Sequence, residues 1–160
     1  MSGSLTARDR RYLDLAYEEA RQGAAEGGVP IAAVLAAGEE IWACGHNRRV
    51  QDGDPIAHGE MDCIRRAGRR KSYDGTTIYS SASPCFMCAG AIVMLGIPRV
   101  VAVTVESMAG PGRFLRHHGV ELLTTEHEGC SSLLDDFVQR ERDVILEDGG
   151  AYTRRLLGGY

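Results

Sequence analysis

The chain has 160 residues, of which 44% are hydrophobic and 25% charged, and its formal net charge is −4 at pH 7. This length and composition predict a single globular domain over residues 1–160, large enough to bury a core without disulfides or a structural metal. The acidic balance argues against a partner held through phosphate contacts, and the sequence has no apolar run of about 18 residues that would cross a membrane.

Helical and strand patterns alternate along the chain. Some segments repeat apolar residues at helical spacing, and others are short, β-branched and bounded by glycine or proline. In chain order we expect a helix at 6–22, strands at 31–36 and 41–45, a helix at 58–69, a strand at 76–80, a helix at 84–96, a strand at 98–105, a helix at 113–118, a strand at 120–124 and a helix at 131–141. Two antiparallel strands followed by strands that alternate with helices predict an α/β fold, a three-layer α/β/α sandwich with a central mixed five-stranded sheet flanked by helices.

Cysteine usage favours a cytoplasmic protein. The chain has five cysteines, an odd number, and Cys85 and Cys88 form a Cys-x-x-Cys pair. That pattern is more typical of metal ligation in a reducing compartment than of a disulfide framework. Cys44, Cys63 and Cys130 stand alone and are expected to be small buried hydrophobic residues. The polar N-terminal segment also lacks the apolar stretch of a signal peptide.

Two short motifs indicate a metal centre. The first is His58-Gly59-Glu60, and the second is Pro84-Cys85-Phe86-Met87-Cys88. One imidazole and two thiolates can fill three tetrahedral positions of Zn²⁺ and leave the fourth for a water. A carboxylate can then carry protons to and from that water. The sequence therefore predicts zinc as cofactor, with His58, Cys85 and Cys88 as ligands and Glu60 as the catalytic residue.

The expected positions of these residues suit that division of roles. Pro84 favours a helix start, so Cys85 is expected in the first turn with Cys88 three residues on, on the same face. The positive end of the helix favours both sulfurs as thiolates. His58 also lies at an expected helix start. Because residues two apart on a helix point in different directions, His58 can bind the metal while Glu60 reaches the water.

Other interpretations of the cysteine pair explain less. A Cys-x-x-Cys pair also occurs in redox proteins and in structural zinc sites. A thioredoxin-like interpretation leaves His58 and Glu60 unexplained. A structural site needs a fourth Cys or His, and none lies at zinc-knuckle spacing. A non-catalytic, zinc-braced module stays open as an alternative, although it has no use for a general base at Glu60.

The compound motif is typical of zinc-dependent nucleobase deaminases, and residues 12–149 resemble the fungal-type cytosine deaminases of the cytidine and deoxycytidylate deaminase superfamily. The resemblance rests on segments that agree in order and spacing. These are Ala16-Tyr17-Glu18-Glu19-Ala20, Glu26-Gly27-Gly28-Val29-Pro30-Ile31, Gly45-His46-Asn47, His58-Gly59-Glu60, Ser83-Pro84-Cys85-Phe86-Met87-Cys88-Ala89-Gly90-Ala91-Ile92 and Gly96-Ile97-Pro98-Arg99.

The resemblance implies a homodimer that hydrolytically deaminates a small-molecule free base, cytosine or an analogue, and releases ammonia with the help of zinc-activated hydroxide. It implies the same zinc ligands and the same proton carrier. It also implies a set of substrate contacts: Asn47 with the base, the Gly59 backbone with the ring carbonyl, the Ser83 carbonyl and Asp148 with the leaving amino group, and Ile31 and Met108 in the pocket.

The substrate itself is left open by one departure from the family pattern. Cytosine deaminases cover the bound base with a phenylalanine and a tryptophan, and those positions fall near Met108 and near Val144 or Ile145 here. An aliphatic and thioether lid stacks less firmly than an aromatic lid, and methionine adapts to varied shapes. Guanine, isocytosine, a damaged base or an amino-triazine are therefore alternatives to cytosine.

A tRNA adenosine deaminase is a further alternative, since those enzymes share the Pro-Cys-x-x-Cys-Ala-Gly-Ala pattern. They usually carry His-Ala-Glu, where this chain has Gly59, and usually present a basic surface. The basic residues at 65–71 fall at a helix end, where cations complement the dipole, so nucleic acid is not the expected partner. Surface or loop roles are expected for the histidines that lack ligand spacing, which are His46, His117, His118 and His127.

Overall fold

A computed structural model describes residues 4–105 and 109–148. Its helices are α1 (Ala7–Ala25), α2 (Arg49–Asp52), α3 (Gly59–Ala67), α4 (Phe86–Leu95), α5 (Ala109–His117), α6 (Glu128–Arg140) and α7 (Arg142–Glu147). Its strands are β1 (Ala32–Ala37), β2 (Glu40–His46), β3 (Thr76–Ser80), β4 (Arg99–Val103) and β5 (Glu121–Thr125). Across these described ranges, none of the helices is both long and apolar enough to pass through a membrane.

The five strands form one mixed sheet in the order β2-β1-β3-β4-β5. Strand β1 pairs antiparallel with β2 and with β3, and β3, β4 and β5 run parallel. The parallel strands are joined through helices, as parallel connections require. The mixed five-stranded sheet predicted from the sequence is confirmed.

Helices cover both faces of the sheet. One face packs against side chains of α1 and α6, including Tyr12, Leu13, Ala16 and Cys130. The other face packs against side chains of α3, α4 and α5, including Cys63, Ala67, Ala89, Ile92 and Leu115. The predicted three-layer α/β/α architecture is therefore confirmed.

The end of α1 differs from the prediction for a steric reason. Thr6 caps the helix in a capping box with Asp9, as its sequence position suggested. The helix does not stop at Gln22, however, but continues through Gly23 to Ala25. A Cβ on Gly23 would lie 3.0 Å from the His46 ring, so this glycine gives room to a packed side chain and does not break the helix.

Two short helices and several boundaries also depart from the sequence-based expectation. Helix α2 lies between β2 and α3, and α7 follows α6; no helix was expected at either place. Helix α3 ends at Ala67 because Gly68 takes a positive φ of +74°. Helix α5 begins at Ala109, before the expected start at residue 113, and α6 begins at Glu128, where His127 accepts a bond from the Cys130 N–H.

Candidate active site

The predicted metal ligands meet where two helices begin. His58 is the N-cap residue of α3, and Cys85 is the N-cap residue of α4, one position before the first turn in which it was expected. Cys88 lies in the first turn of α4, and α4 follows the carboxyl end of β3. The positive ends of two helix dipoles therefore converge on the same three side chains, which favours thiolates there.

The distances among these side chains fit a tetrahedral zinc ion. His58 Nδ1 lies 3.4 Å from Cys85 Sγ and 3.6 Å from Cys88 Sγ, and the three ligand atoms all lie within 4.8 Å of one another. A zinc ion about 2.0–2.1 Å from nitrogen and about 2.3 Å from sulfur places tetrahedral N and S ligands about 3.6 Å apart. The donor set supplies three protein ligands, which is the number typical of a catalytic zinc site.

The outer nitrogen of His58 faces a carboxylate. His58 Nε2 lies 2.8 Å from Asp148 Oδ1, just beyond the end of α7. The same carboxylate oxygen lies 3.6 Å from the Nε of Arg49, whose side chain is only 9% exposed. Arg49 Nη1 also donates to the Val144 carbonyl at 3.4 Å. Asp148 thus lies between the candidate metal ligand His58 and the largely buried Arg49 side chain.

The pKa values of the three candidate ligands are all shifted from their ordinary values. Burial by itself would lower the pKa of His58, but hydrogen bonds with Asp148 and Cys85 raise it to about 10. Hydrogen bonds from Cys88 and His58 lower the pKa of Cys85 to about 4, against the effect of burial. The bond to Cys85 and then burial raise the pKa of Cys88 well above its ordinary value. Zinc must therefore displace protons as it binds.

Glu60 lies beside the same group of side chains. Its side chain is buried, and one carboxylate oxygen, Oε2, lies 3.3 Å from Cys88 Sγ. The other oxygen, Oε1, accepts a hydrogen bond of 2.8 Å from Ser80. Burial, followed by the Cys85 thiolate, raises the pKa of Glu60 above its ordinary value. A raised pKa makes a carboxyl group hold a proton more readily, which suits a residue that must accept a proton and return it.

Three of the predicted substrate contacts, Ile31, Asn47 and Gly59, lie next to one another. The buried Asn47 donates its backbone N–H to the Ile31 carbonyl at 2.8 Å, and its Oδ1 accepts from the Arg49 N–H at 3.1 Å. That bond leaves the Asn47 NH₂ group for a ligand. Gly59 packs closely against the start of β1. A Cβ at this position would lie 2.8 Å from the Ile31 oxygen and from Ala32 Cα.

The remaining predicted contacts are Ser83, Met108 and Asp148. Ser83 joins the loop before α4 to the end of β4, since its hydroxyl donates to the Val103 carbonyl at 3.0 Å and accepts from the Val105 N–H at 3.2 Å. Met108 lies outside the described residues. Asp148 is half-buried against His58, as described above.

Three residues of this region did not emerge from the sequence. His46, for which a surface or loop role was expected, is instead a buried strand residue, with Glu19 2.8 Å from Nδ1 and Glu26 2.9 Å from Nε2. Arg49 lies in α2, the helix that the sequence did not predict, and Ser80 is an ordinary strand residue by its pattern. A signal existed only for His46, which directly precedes the predicted base-binding Asn47.

Comparison with known proteins agrees with this geometry. Residues 6–104 match the family described as the cytidine and deoxycytidylate deaminase zinc-binding region. The chain is 34% identical to a cytosine deaminase of Candida albicans over 149 residues, which cover 91% of this chain and 99% of that protein. It is 32% identical to a tRNA-specific adenosine deaminase of Bacillus subtilis, over 84% of this chain and 91% of the relative.

A solved structure supports the fold. A guanine deaminase from Nitrosomonas europaea superimposes with a TM-score of 0.72 at 22% identity, covering 84% of this chain and 86% of that one. At this level of identity the likeness concerns the fold alone.

Proposed function

The chain belongs to the cytidine and deoxycytidylate deaminase family, and on that premise we propose that it hydrolytically deaminates a free nucleobase or related aminated heterocycle, cytosine or an analogue. The observation that carries the proposal is the grouping of His58, Cys85 and Cys88 at two helix N-termini with the buried carboxylate of Glu60 beside them. A site that only braces the fold has no use for that carboxylate.

Each residue of the site has a part in the proposed reaction. When bound by His58, Cys85 and Cys88, zinc supplies an acidic water, because it lowers the pKa of its water from about 15.7 to about 7. Glu60 accepts a proton from the attacking water and delivers it to the ring nitrogen next to the amino-bearing carbon. It then moves the second proton to the amino group, which leaves as ammonia.

The other side chains would bind and orient the base. The free NH₂ group of Asn47 is a donor for a ring carbonyl, and the Gly59 N–H offers a second donor. The Ser83 carbonyl and the Asp148 carboxylate are acceptors for the leaving amino group. Together they would present one ring carbon to the attacking water, which is the positioning that an addition reaction requires.

The packing of Gly59 supports a free base over adenosine in transfer RNA. The tRNA enzymes usually carry alanine at this position, and an alanine methyl here would collide with the backbone of Ile31 and Ala32. That backbone would have to shift to accommodate it. The His-Gly-Glu form of the motif therefore suits the close approach of Ile31 and Ala32 to the start of α3.

Three of the basic residues near the end of α3 already have partners within the chain. Arg65 pairs with Asp54 at 3.3 Å, and Arg66 pairs with Asp62 at 2.9 Å. Arg70 lies over the Trp42 ring and donates to the Ala67 carbonyl. Cations that are already paired have less to offer to phosphates, which agrees with the acidic net charge.

The residues at the expected lid positions, Val144 and Ile145, favour a broader set of bases than cytosine alone. Helix α7 is held over α2 by the Arg49 bond to the Val144 carbonyl, and Val144 and Ile145 are half-buried aliphatic side chains. They offer an apolar surface without a ring to stack on. Guanine, isocytosine, damaged bases and amino-triazines are therefore included in the proposed substrate class.

An ammonia-release assay over a panel of bases tests the proposal. Zinc-loaded protein is incubated with cytosine, isocytosine, guanine, an amino-triazine and cytidine, and ammonia is measured. We expect turnover of at least one free base and little turnover of the nucleoside. A parallel assay with transfer RNA measures inosine formation and gel-shift. Inosine formation with no turnover of any free base would replace the proposal with the tRNA alternative.

A further inference from the structure

Ser80 is the last residue of β3, and its position is fixed from both sides. Its Cα pairs with Ala33 of β1 and with Ala102 of β4, and its side chain is 0% exposed. Side chains alternate along a strand, so Ser80 projects to the same face as Ile78, which packs against α3 and α4. Its hydroxyl donates to Glu60 Oε1 at 2.8 Å.

The two oxygens of the Glu60 carboxylate therefore have different surroundings. Oε1 accepts the Ser80 bond, and Oε2 lies 3.3 Å from Cys88 Sγ, one of the three metal ligands. A carboxylate that accepts a bond on one oxygen cannot rotate about its last torsion without breaking that bond. The Ser80 bond thus fixes the orientation of the Glu60 carboxylate, with Oε2 toward Cys88.

We propose that Ser80 is a positioning residue for the reaction: it holds Glu60 Oε1 so that Oε2 alone carries the proton. This inference rests on the proposed function, because it takes Glu60 as the proton carrier. Proton transfer requires the carboxylate oxygen within hydrogen-bond reach of both the attacking water and the substrate nitrogen. A group displaced by about 1 Å loses about a hundredfold in rate.

A pair of variants with equal side-chain volume isolates the hydroxyl. Ser80→Thr keeps the hydroxyl and adds a methyl group, and Ser80→Val has the same shape without the hydroxyl. We expect Ser80→Thr to retain kcat within about threefold, and Ser80→Val to lose about ten- to a hundredfold in kcat, because hydrogen bonds to charged groups are the stronger ones. KM and zinc content stay unchanged in both.

Two controls separate this role from a structural one. Thr76 lies at the other end of β3, and its buried hydroxyl donates to the Tyr73 carbonyl. Thr76→Val should lower the unfolding temperature and leave kcat as in the wild type. In a Glu60→Gln background, Ser80→Val should cause no further loss, since there is no proton carrier left to position. A crystal structure of zinc-loaded Ser80→Val is expected to show Glu60 in more than one orientation.

Several outcomes would overturn the inference. Equal kcat for the Thr and Val variants would do so, as would a loss confined to KM or to zinc content. If the added methyl group prevents Ser80→Thr and Ser80→Val from folding, Ser80→Ala replaces both variants. A kcat of Ser80→Ala within twofold of the wild type would then contradict the proposal. If Glu60→Gln itself keeps its turnover, the proposed function fails; if Glu60→Gln is inactive while Ser80→Val is active, only this inference fails.

Discussion

The two ring nitrogens of His58 have separate partners. Nδ1 faces the sulfurs of Cys85 and Cys88, and Nε2 lies 2.8 Å from Asp148. A histidine that binds zinc through one nitrogen donates its other N–H, and a carboxylate acceptor fixes the tautomer and the ring orientation. The geometry therefore favours a role for Asp148 in holding the metal ligand, in addition to the substrate contact that the family resemblance implies.

Replacement of this carboxylate should weaken zinc binding. We expect Asp148→Asn to lower zinc affinity about ten- to a hundredfold, the range for lost partners of metal-binding histidines. Competition with a chromophoric chelator measures the change. Asp143→Asn, an exposed carboxylate at the start of α7, is the matched control and should bind zinc as the wild type does. Wild-type zinc affinity for Asp148→Asn, together with a raised KM, would restrict Asp148 to substrate contact.

Among the elements, α1 is attached to the sheet by a buried ion pair. Asp9 accepts bonds from Arg99 Nη1 at 2.7 Å and Nη2 at 3.1 Å, and from the Tyr79 hydroxyl at 3.1 Å. Burial opposes ionisation of Asp9, but the Arg99 and Thr6 bonds outweigh it and hold the pKa of this carboxyl well below its ordinary value. The first turn of α1 is thereby joined to the start of β4.

Asp9→Asn should destabilise the protein in a pH-dependent way. We expect a loss of about 2–3 kcal/mol in the free energy of unfolding at pH 7, because Arg99 loses its buried partner. A lowered folded-state pKa contributes stability above the unfolded pKa of about 3.9, and this contribution disappears as the pH falls below that value. Denaturant titrations of the wild type and of Asp9→Asn should therefore give similar free energies of unfolding in acid. Any zinc release in acid affects both proteins alike and cancels in the difference between them.

The exposed Asp14 of the same helix provides the control for that measurement. Its carboxylate is 70% exposed and pairs with His127 at 3.1 Å. Exposed pairs contribute less than about 1 kcal/mol, so Asp14→Asn should change stability little. A difference between Asp9→Asn and the wild type that stays constant from pH 7 to acid would contradict the assignment of the effect to the Asp9 charge.

The elements that the sequence predicted best are those with strong local signals. β3 was placed at 76–80, as observed, and the starts of α3 and α4 were within two residues of expectation. The short helices α2 and α7 were not predicted, because helices of one or two turns depend on tertiary contacts and not on periodicity. Arg49 in α2 forms such contacts with Val144 and Asp148 of the C-terminal segment.

The site residues also fall into two groups: those that local sequence predicts and those that only the tertiary fold brings together. The metal ligands and Glu60 were predictable, because their chemistry lies in residue types at fixed spacing. Ser80 and the burial of His46 were not, since both depend on which side chains the fold brings together over 20 or more residues of sequence. Ser80 and His46 each end a strand, and nothing in the sequence shows which side chains they will contact.

At the scale of the whole molecule, α4 leaves apolar side chains exposed within residues 4–105 and 109–148. Its residues are apolar around most of its circumference, yet Met94 is 85% exposed and Leu95 is 37% exposed. A helix that is apolar on all sides is normally covered on all sides. We propose that a second copy of the chain covers this face, in the homodimer that the family resemblance implies.

A charge on that face tests the proposed assembly. We expect Met94→Glu to convert a dimer to a monomer, because a carboxylate cannot be buried in an apolar interface without a partner. Light scattering after size exclusion gives the mass, against 17.3 kDa for one chain. Leu15→Glu, on α1 in the opposite layer, should leave the mass unchanged. A wild-type protein that is monomeric at micromolar concentration would contradict the proposal.

The proposed reaction requires Glu60 to move protons beside a zinc ion held by His58, Cys85 and Cys88. The decisive experiment measures ammonia release on the best base of the panel, together with zinc content, for the wild type and for Glu60→Gln. We expect one zinc per chain in both proteins and a loss of at least about a hundredfold in turnover for Glu60→Gln, the contribution typical of a general acid–base group. Turnover by Glu60→Gln at the wild-type rate, or a wild-type protein that is active without zinc, would contradict it.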